Sequence, residues 1–461
     1  MRDPFDIYQK IHFIGIGGIG ISALARLLKE QGHQISGSDQ TKSHNIDLLL
    51  EEGMKIIIGH TADSIPQDSQ LVIHTTAIPK DNPELQTANN MGVPVISYPQ
   101  AVGKLTEEYN TICVCGTHGK TTITALLGET LAKLDRSPTI IVGSLAKAFN
   151  NKNYVLGTSD LLVVESCEYQ EAFLNYSPRI IILNNIDPEH LDYFHTSDNY
   201  LNAFRKFINK LPAEGVLIAN GDDENIKTLI SEKNYPFKIL LFGKNRDNSY
   251  RLNQNQVHLP DGETLELKLT IPGDHNLLNA TAALTACQVL GLSPSLTVPH
   301  LNAFQGTARR LELKGHINGI PLIDDYGHAP AEIRASLSAL KSQYGETTKI
   351  LCIFQPHQYS RTYYFLNEFA QSFGDAKTVY IPNIYRSRDS SEDIAKVSVD
   401  ALVSAINTFR PKTARNTVDF ATTLELVQKN HQDYDLILTI GAGDITRLGT
   451  QILARSINSP S

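Results

Sequence analysis

The chain has 461 residues, 41% hydrophobic and 20% charged, with a net charge of −8. At roughly 100–200 residues per domain this predicts about two to four domains, and core size is not limiting. The acidic balance gives no drive toward nucleic acid, and no apolar run is long enough to span a bilayer. The first residues, Met1 to Asp6, carry no apolar signal core, so the expectation is a cytoplasmic protein without membrane insertion.

An apolar run, Ile11 to Ile14, leads into Gly15-Ile16-Gly17-Gly18-Ile19-Gly20. A helical pattern follows, with Ile21, Leu24, Leu27 and Leu28 on one face. A second strand near Gln34–Gly37 ends at Ser38-Asp39. Glycines so placed let a diphosphate approach the helix N-terminus, and an acidic residue about 20 positions on completes a dinucleotide-type fingerprint. The glycines do not distinguish one diphosphate from another. Short strands recur at Lys55–Ile58, Leu71–His74 and Val95–Ser97. Thr75 and Thr76 follow a strand end, where open α/β sheets take ligands. The alternation predicts one parallel α/β domain over residues 1–105.

The second unit opens with Thr111-Ile112-Cys113-Val114-Cys115-Gly116-Thr117-His118-Gly119-Lys120-Thr121-Thr122. An apolar strand ends at Gly116 and an apolar-faced helix starts at Lys120, the context of a shortened phosphate-binding loop. Backbone N–H groups and the helix N-terminus favour phosphate. Lys120 supplies charge for the β- and γ-phosphates, and the Thr121 hydroxyl is placed for Mg²⁺. Later strands, Asp160–Val164 and Ile180–Leu183, end at Glu165 and at Asn184-Asn185-Ile186-Asp187-Pro188-Glu189-His190. Parallel strands present those ends on one edge, so Glu165 and His190 are candidate metal ligands beside Thr121. His275 and Asn276 open an alanine-rich helix where a base or ribose could lie. The five cysteines, 113, 115, 167, 287 and 352, form no C-x-x-C and are expected as free thiols.

Near Asn302–Gly315 the pattern breaks, and Arg309-Arg310 stands between α/β units, where it could clamp transferring phosphate charge. The last third is again α/β. A strand at Pro321–Ile323 ends in Asp324-Asp325-Tyr326-Gly327-His328, and one at Lys349–Phe354 ends in Gln355-Pro356-His357-Gln358-Tyr359-Ser360-Arg361. Together these ends outline a cleft for a small zwitterion or anion.

As an ordered set, the glycine turn with Ser38-Asp39, the Gly116–Thr122 loop, Asn185–His190, Asp324–His328 and Phe354–His357 resemble the Mur ligases. The resemblance covers nearly the whole chain. It implies three domains, Rossmann-like at both ends around a parallel-sheet ATPase, over 1–105, 106–305 and 306–461. It further implies ATP-dependent joining of L-alanine to the lactyl carboxylate of UDP-N-acetylmuramate, through an acyl phosphate. ATP and Mg²⁺ are the implied cofactors, and a monomer or weak homodimer is expected.

By this resemblance Gly116, Thr117, His118, Gly119, Lys120, Thr121, Thr122, Asn185, His275 and Asn276 bind nucleotide. Thr121, Glu165 and His190 hold metal. Gly15, Gly17, Gly18, Ser38, Asp39, Thr75 and Thr76 bind the sugar nucleotide. Tyr326, His328, His357 and Arg361 hold the amino acid and the reacting carboxylate. Lys120, His190, Arg309, Arg310, His328, His357 and Arg361 are the implied catalytic set. The chain departs from many relatives at Cys167-Glu168-Tyr169, at Ala329 and at Gln358. Arg205 and Lys206 lie where sister ligases carry a carbamylated lysine, and none is expected here. The alternatives are a sister or recycling ligase acting on a UDP-muramyl substrate and, in another class, a nicotinamide-dependent oxidoreductase suggested by the glycine turn and Asp39.

Overall fold

A computed structural model describes residues 3–387 and 389–457. It divides into two compact units. The first runs to Thr270 and resumes over Leu277–Gln305; the second joins Ile271–Asn276 to the chain from Gly306 onward. Among the described residues the strands form three sheets.

The first sheet has the order β3-β2-β1-β4-β5 and is parallel throughout. Its strands are β1 (Lys10–Ile14), β2 (Gln34–Asp39), β3 (Lys55–Ile58), β4 (Leu71–His74) and β5 (Val95–Ser97). Alternation sends Ile11, Phe13, Leu71 and Ile73 to one apolar face, and Ile14 and Val72 to another that is closed by Ile65 and Ala88. The helices Ile19–Glu30 and Pro83–Asn90 cover these faces, as a buried parallel sheet requires.

The second sheet has the order β15-β14-β13-β12-β11-β10-β6-β9-β7-β8. Its strands are β6 (Asn110–Cys115), β7 (Thr139–Ala146), β8 (Lys152–Val155), β9 (Leu161–Glu165), β10 (Ile180–Leu183), β11 (Val216–Asn220), β12 (Lys238–Gly243), β13 (Tyr250–Asn253), β14 (Gln256–His258) and β15 (Thr264–Glu266). The strands from β12 to β7 are parallel, and antiparallel pairings finish both edges. The helix Lys120–Lys133 is buried on nearly every side. One cluster of buried residues takes in Phe5 and Phe13 together with Cys113, Phe173, Phe204 and Phe237, so the first two sheets share one interior. Arg26, a buried residue of the helix Ile19–Glu30, donates to Asn153 at 3.1 Å.

The second unit carries β16 (Glu312–Ile317), β17 (Ile320–Asp325), β18 (Ile350–Phe354), β19 (Thr378–Ile381), β20 (Ala414–Asn416) and β21 (Leu436–Ile440), in the order β16-β17-β21-β18-β19-β20. Two apolar clusters fill its faces. Across the expected break, residues 303–311 belong to no helix and to no strand of these sheets, and regular elements resume on either side. Pro294–Asn302 is helical, and Glu312–Ile317 pairs antiparallel with β17. As an edge strand rich in polar residues, β16 has no apolar run to betray it. All five cysteines are free, and four are buried. No helix among the described residues is long and apolar enough to cross a membrane.

Candidate active site

The loop from β6 to the helix Lys120–Lys133 turns on Gly119, whose φ is 83°. A Cβ there would lie 2.4 Å from Asn184 Nδ2 and 2.7 Å from Asn279 Oδ1, so a side chain does not fit. The His118 carbonyl accepts from Asn184 and Asn185 Nδ2 at 3.0 and 3.2 Å, and the His118 N–H donates to Asn185 Oδ1 at 2.7 Å. Thr117 Oγ1 donates to the Asp187 carbonyl at 2.9 Å and lies 2.8 Å from the Tyr200 hydroxyl. The Thr117 hydroxyl and the His118 carbonyl are thereby turned onto neighbouring frame residues. No side chain caps the helix, and the N-terminus of a helix favours an anion.

Lys120 Nζ donates to the Gly116 and Thr117 carbonyls at 2.6 and 2.9 Å and pairs with Glu168 at 3.0 Å. Burial alone would lower the Lys120 ammonium; the Glu168 carboxylate beside it raises it instead. Glu168 is fully buried. Burial opposes its charge, but Lys120 and then His190 outweigh that and hold it below the usual carboxylate range.

Thr121 Oγ1 donates to Glu165 Oε1 at 2.9 Å, and Gly143 N–H donates to Oε2 at 2.7 Å. Thr122 is buried beside them. A second group consists of Glu168, Glu189 and His190, whose ligand atoms all lie within 4.8 Å of one another. His190 Nε2 is 3.5 Å from Glu168, and its ring centroid is 4.7 Å from that of Tyr169. The expected metal residues therefore fall into two groups, Thr121 with Glu165 and His190 with two further carboxylates. Oxygen donors with one imidazole suit a hard divalent cation. Arg205 is tied to Glu232 at 2.6 Å and Lys206 to Glu171 at 2.8 Å. Sequence reading passed over Glu168 as a site residue, although it stands three positions beyond Glu165 in the same loop; it also missed Asn279, which is 95 residues from its partner Asn184.

Strand order in the first sheet reverses between β1 and β4, and a pocket of about 760 Å³ opens at their C-terminal ends. Gly15, Gly17, Gly18, Asp39 and Thr75 line it. Gly15 has φ 76°, and a Cβ on it would meet Thr75 Cγ2 at 2.4 Å. Asp39 accepts the Gly17 N–H at 2.8 Å and so braces the glycine turn. Ser38 is buried behind the wall, donating to Glu84 at 2.8 Å, and Thr76 is exposed.

In the second unit Asp324 and Asp325 are buried scaffolds. Asp324 accepts from Arg309 Nε at 3.2 Å and Thr439 Oγ1 at 2.6 Å. Asp325, whose carboxyl burial pushes up, accepts from the Leu311 and Gly327 N–H groups at 2.8 Å each. These bonds frame Tyr326, whose ring lies 4.9 Å from the Arg309 guanidinium and 5.3 Å from that of Arg310. Arg309 also donates to the Gly441 carbonyl, whereas Arg310 pairs loosely with Glu332, at 3.7 Å.

The His328 ring lies 5.5 Å from Tyr326 and 6.1 Å from His357. His357 stacks on Tyr385 at 5.5 Å, and Arg361 Nη1 is 3.3 Å from its Nδ1. Tyr326, His328, His357 and Arg361 are thus brought together. Gln358 turns away and donates to the Ser387 carbonyl at 3.0 Å. His275 and Asn276 begin the helix Asp274–Val289. Burial, then the Arg310 charge, lowers the His275 imidazole, and Asn276 Nδ2 donates to the Pro272 carbonyl at 2.6 Å.

Three family models match the chain: Mur ligase family, catalytic domain (10–110), Mur ligase middle domain (114–287) and Mur ligase, glutamate ligase domain (309–443). A UDP-N-acetylmuramate–L-alanine ligase from Clostridium acetobutylicum is 38% identical over 98% of both chains. One of the same name from Caldanaerobacter subterraneus is 39% identical over 98% of this chain and 99% of its own. The solved UDP-N-acetylmuramate-alanine ligase from Thermotoga maritima superposes with a TM-score of 0.82 at 29% identity, covering 98% of this chain and all of that one. Matched by these three models and by relatives along nearly its whole length, the chain belongs to the Mur ligase family.

Proposed function

We propose that the chain uses ATP to join the amine of L-alanine to the lactyl carboxylate of UDP-N-acetylmuramate, in the cytoplasm, during peptidoglycan precursor synthesis. The observation that carries this reading is the Lys120–Thr121–Glu165 arrangement at a sheet edge, in a chain similar along 98% of its length to ligases of that name. Three domains, divided near residues 105 and 305, would take the sugar nucleotide, ATP and the amino acid.

A carboxylate is a poor acyl donor. In the first step its oxygen attacks the γ-phosphorus, and the bond to the β–γ bridging oxygen breaks, leaving an acyl phosphate and ADP. In the second the amine attacks the acyl carbon, its proton leaves, and the bond to phosphate breaks. Both reactants of the first step are anions, so positioning and charge neutralisation dominate. Lys120 exchanges its loop carbonyls for phosphate oxygens and stays beside Glu168. Arg310, less committed than Arg309, reaches for nucleotide phosphate. Arg361 pairs bidentately with the amino-acid carboxylate. His328 and His357 are the bases at hand for the amine's proton. The donor sets fit Mg²⁺: Thr121 with Glu165 would hold one ion, and His190 with Glu168 and Glu189 another. When bound, the ions neutralise charge on the phosphate oxygens.

The test is ADP release in the presence of UDP-N-acetylmuramate with L-alanine, glycine, L-serine or a tripeptide. L-alanine should support turnover best. Release that needs the tripeptide instead would move the chain to the recycling ligases.

A further inference from the structure

Among the described residues lining the pocket of the first sheet, His60 is the only base; Asp39 and Asp81 are acids, and no lysine or arginine lines it. His60 follows β3, and its side chain is only 9% exposed. Its Nδ1 lies 2.6 Å from Glu84 Oε1. Glu84, on the helix Pro83–Asn90, is fully buried. Its carboxylate also accepts from Ser38 Oγ at 2.8 Å and lies 3.0 Å from His12 Nε2. His12 is fixed in turn by Ser36 Oγ, 2.9 Å from its Nδ1. A carboxylate withdrawn from water stays ionised only where donors or a cation surround it. Here the histidines and Ser38 outweigh the burial and keep Glu84 below the usual carboxylate range. With Nδ1 turned inward to Glu84, the other ring nitrogen of His60, Nε2, is on the pocket side.

We propose that Glu84 is a positioning residue for the sugar nucleotide: it turns the His60 ring so that its Nε2–H meets the diphosphate cradled by the Gly15–Gly18 turn. This rests on the diphosphate reading of that pocket. The charged and titratable groups around His60 are Glu84 from its helix, His12 from β1 behind the carboxylate, Asp39 from β2, and Asp81 on the pocket wall. Asp39 is engaged by the Gly17 N–H. Without His60 the pocket would have, among the described residues, no basic side chain for two negative phosphates, and two acids would oppose them.

The experiment is calorimetric titration of the full chain with UDP-N-acetylmuramate, beside ADP release with that substrate and with ATP varied in turn. His60→Gln should bind the sugar nucleotide roughly tenfold or more weakly than the wild type. Glu84→Gln keeps the shape without the charge; it should weaken that binding too, raise KM for UDP-N-acetylmuramate and leave KM for ATP and kcat as in the wild type. Wild-type affinity in His60→Gln or in folded Glu84→Gln would overturn the inference. Should Glu84→Gln not fold, the wild-type and His60→Gln affinities decide. No saturable binding by the wild type would instead sink the diphosphate reading itself.

Discussion

Lys120 and Glu168 form a pair that neither can leave cheaply. Lys120→Ala should abolish ATP-dependent turnover by about two orders of magnitude or more. It should also destabilise the fold by on the order of 3 kcal/mol, because it strands a buried carboxylate. Adding Glu168→Gln should recover stability without activity; urea melts and ADP release read the two separately. The adjacent arginines should divide in the opposite sense. Arg310→Ala should cost turnover with little change in melting, whereas Arg309→Ala should melt lower, since it deprives buried Asp324 of a donor. Acid should act through Glu84 and Glu168. Both sit below the ordinary 4.5, so the unfolded chain takes up protons first as pH falls. Their contribution is complete above that value and is lost toward the folded values. Glu168→Gln should therefore flatten the decline of melting temperature between about pH 5 and pH 3.

At the scale of elements, the turn before the helix Lys120–Lys133 depends on one backbone angle. Gly119→Ala should cost about 1 kcal/mol or more for the left-handed angle alone, and the clash with Asn184 and Asn279 should weaken nucleotide binding further. Equilibrium binding of a nonhydrolysable ATP analogue checks this. Central parallel strands were legible to the residue, as at Leu71–His74, Ile180–Leu183 and Leu436–Ile440, because burial on both faces writes an unbroken apolar run. The edge strand β16 was not, since its polar residues leave no apolar run, although the edge strands β3 and β5 were read at their observed bounds. The phosphate loop was legible because its residues are contiguous. Glu84 was not, because its partners His12 and His60 lie 72 and 24 residues away, and no local period records such a meeting. Glu168 hid in a turn without periodicity.

For the whole molecule, the shared interior of the first two sheets sets the unit of unfolding. Scanning calorimetry should show two transitions, one for each compact unit, and a nonhydrolysable ATP analogue should raise the one that contains the phosphate loop. A third transition would mean that the first two sheets melt independently. The excursion of Ile271–Asn276 into the second unit bears on how such chains can be recombined. A single exchange point at residue 306 would leave His275 from one parent beside Arg310 from another, although burial and that charge together set its imidazole. The second unit is thus inherited in two pieces. A working hybrid with a relative needs three junctions, so that residues 271–276 and the chain from 306 onward descend from the same parent.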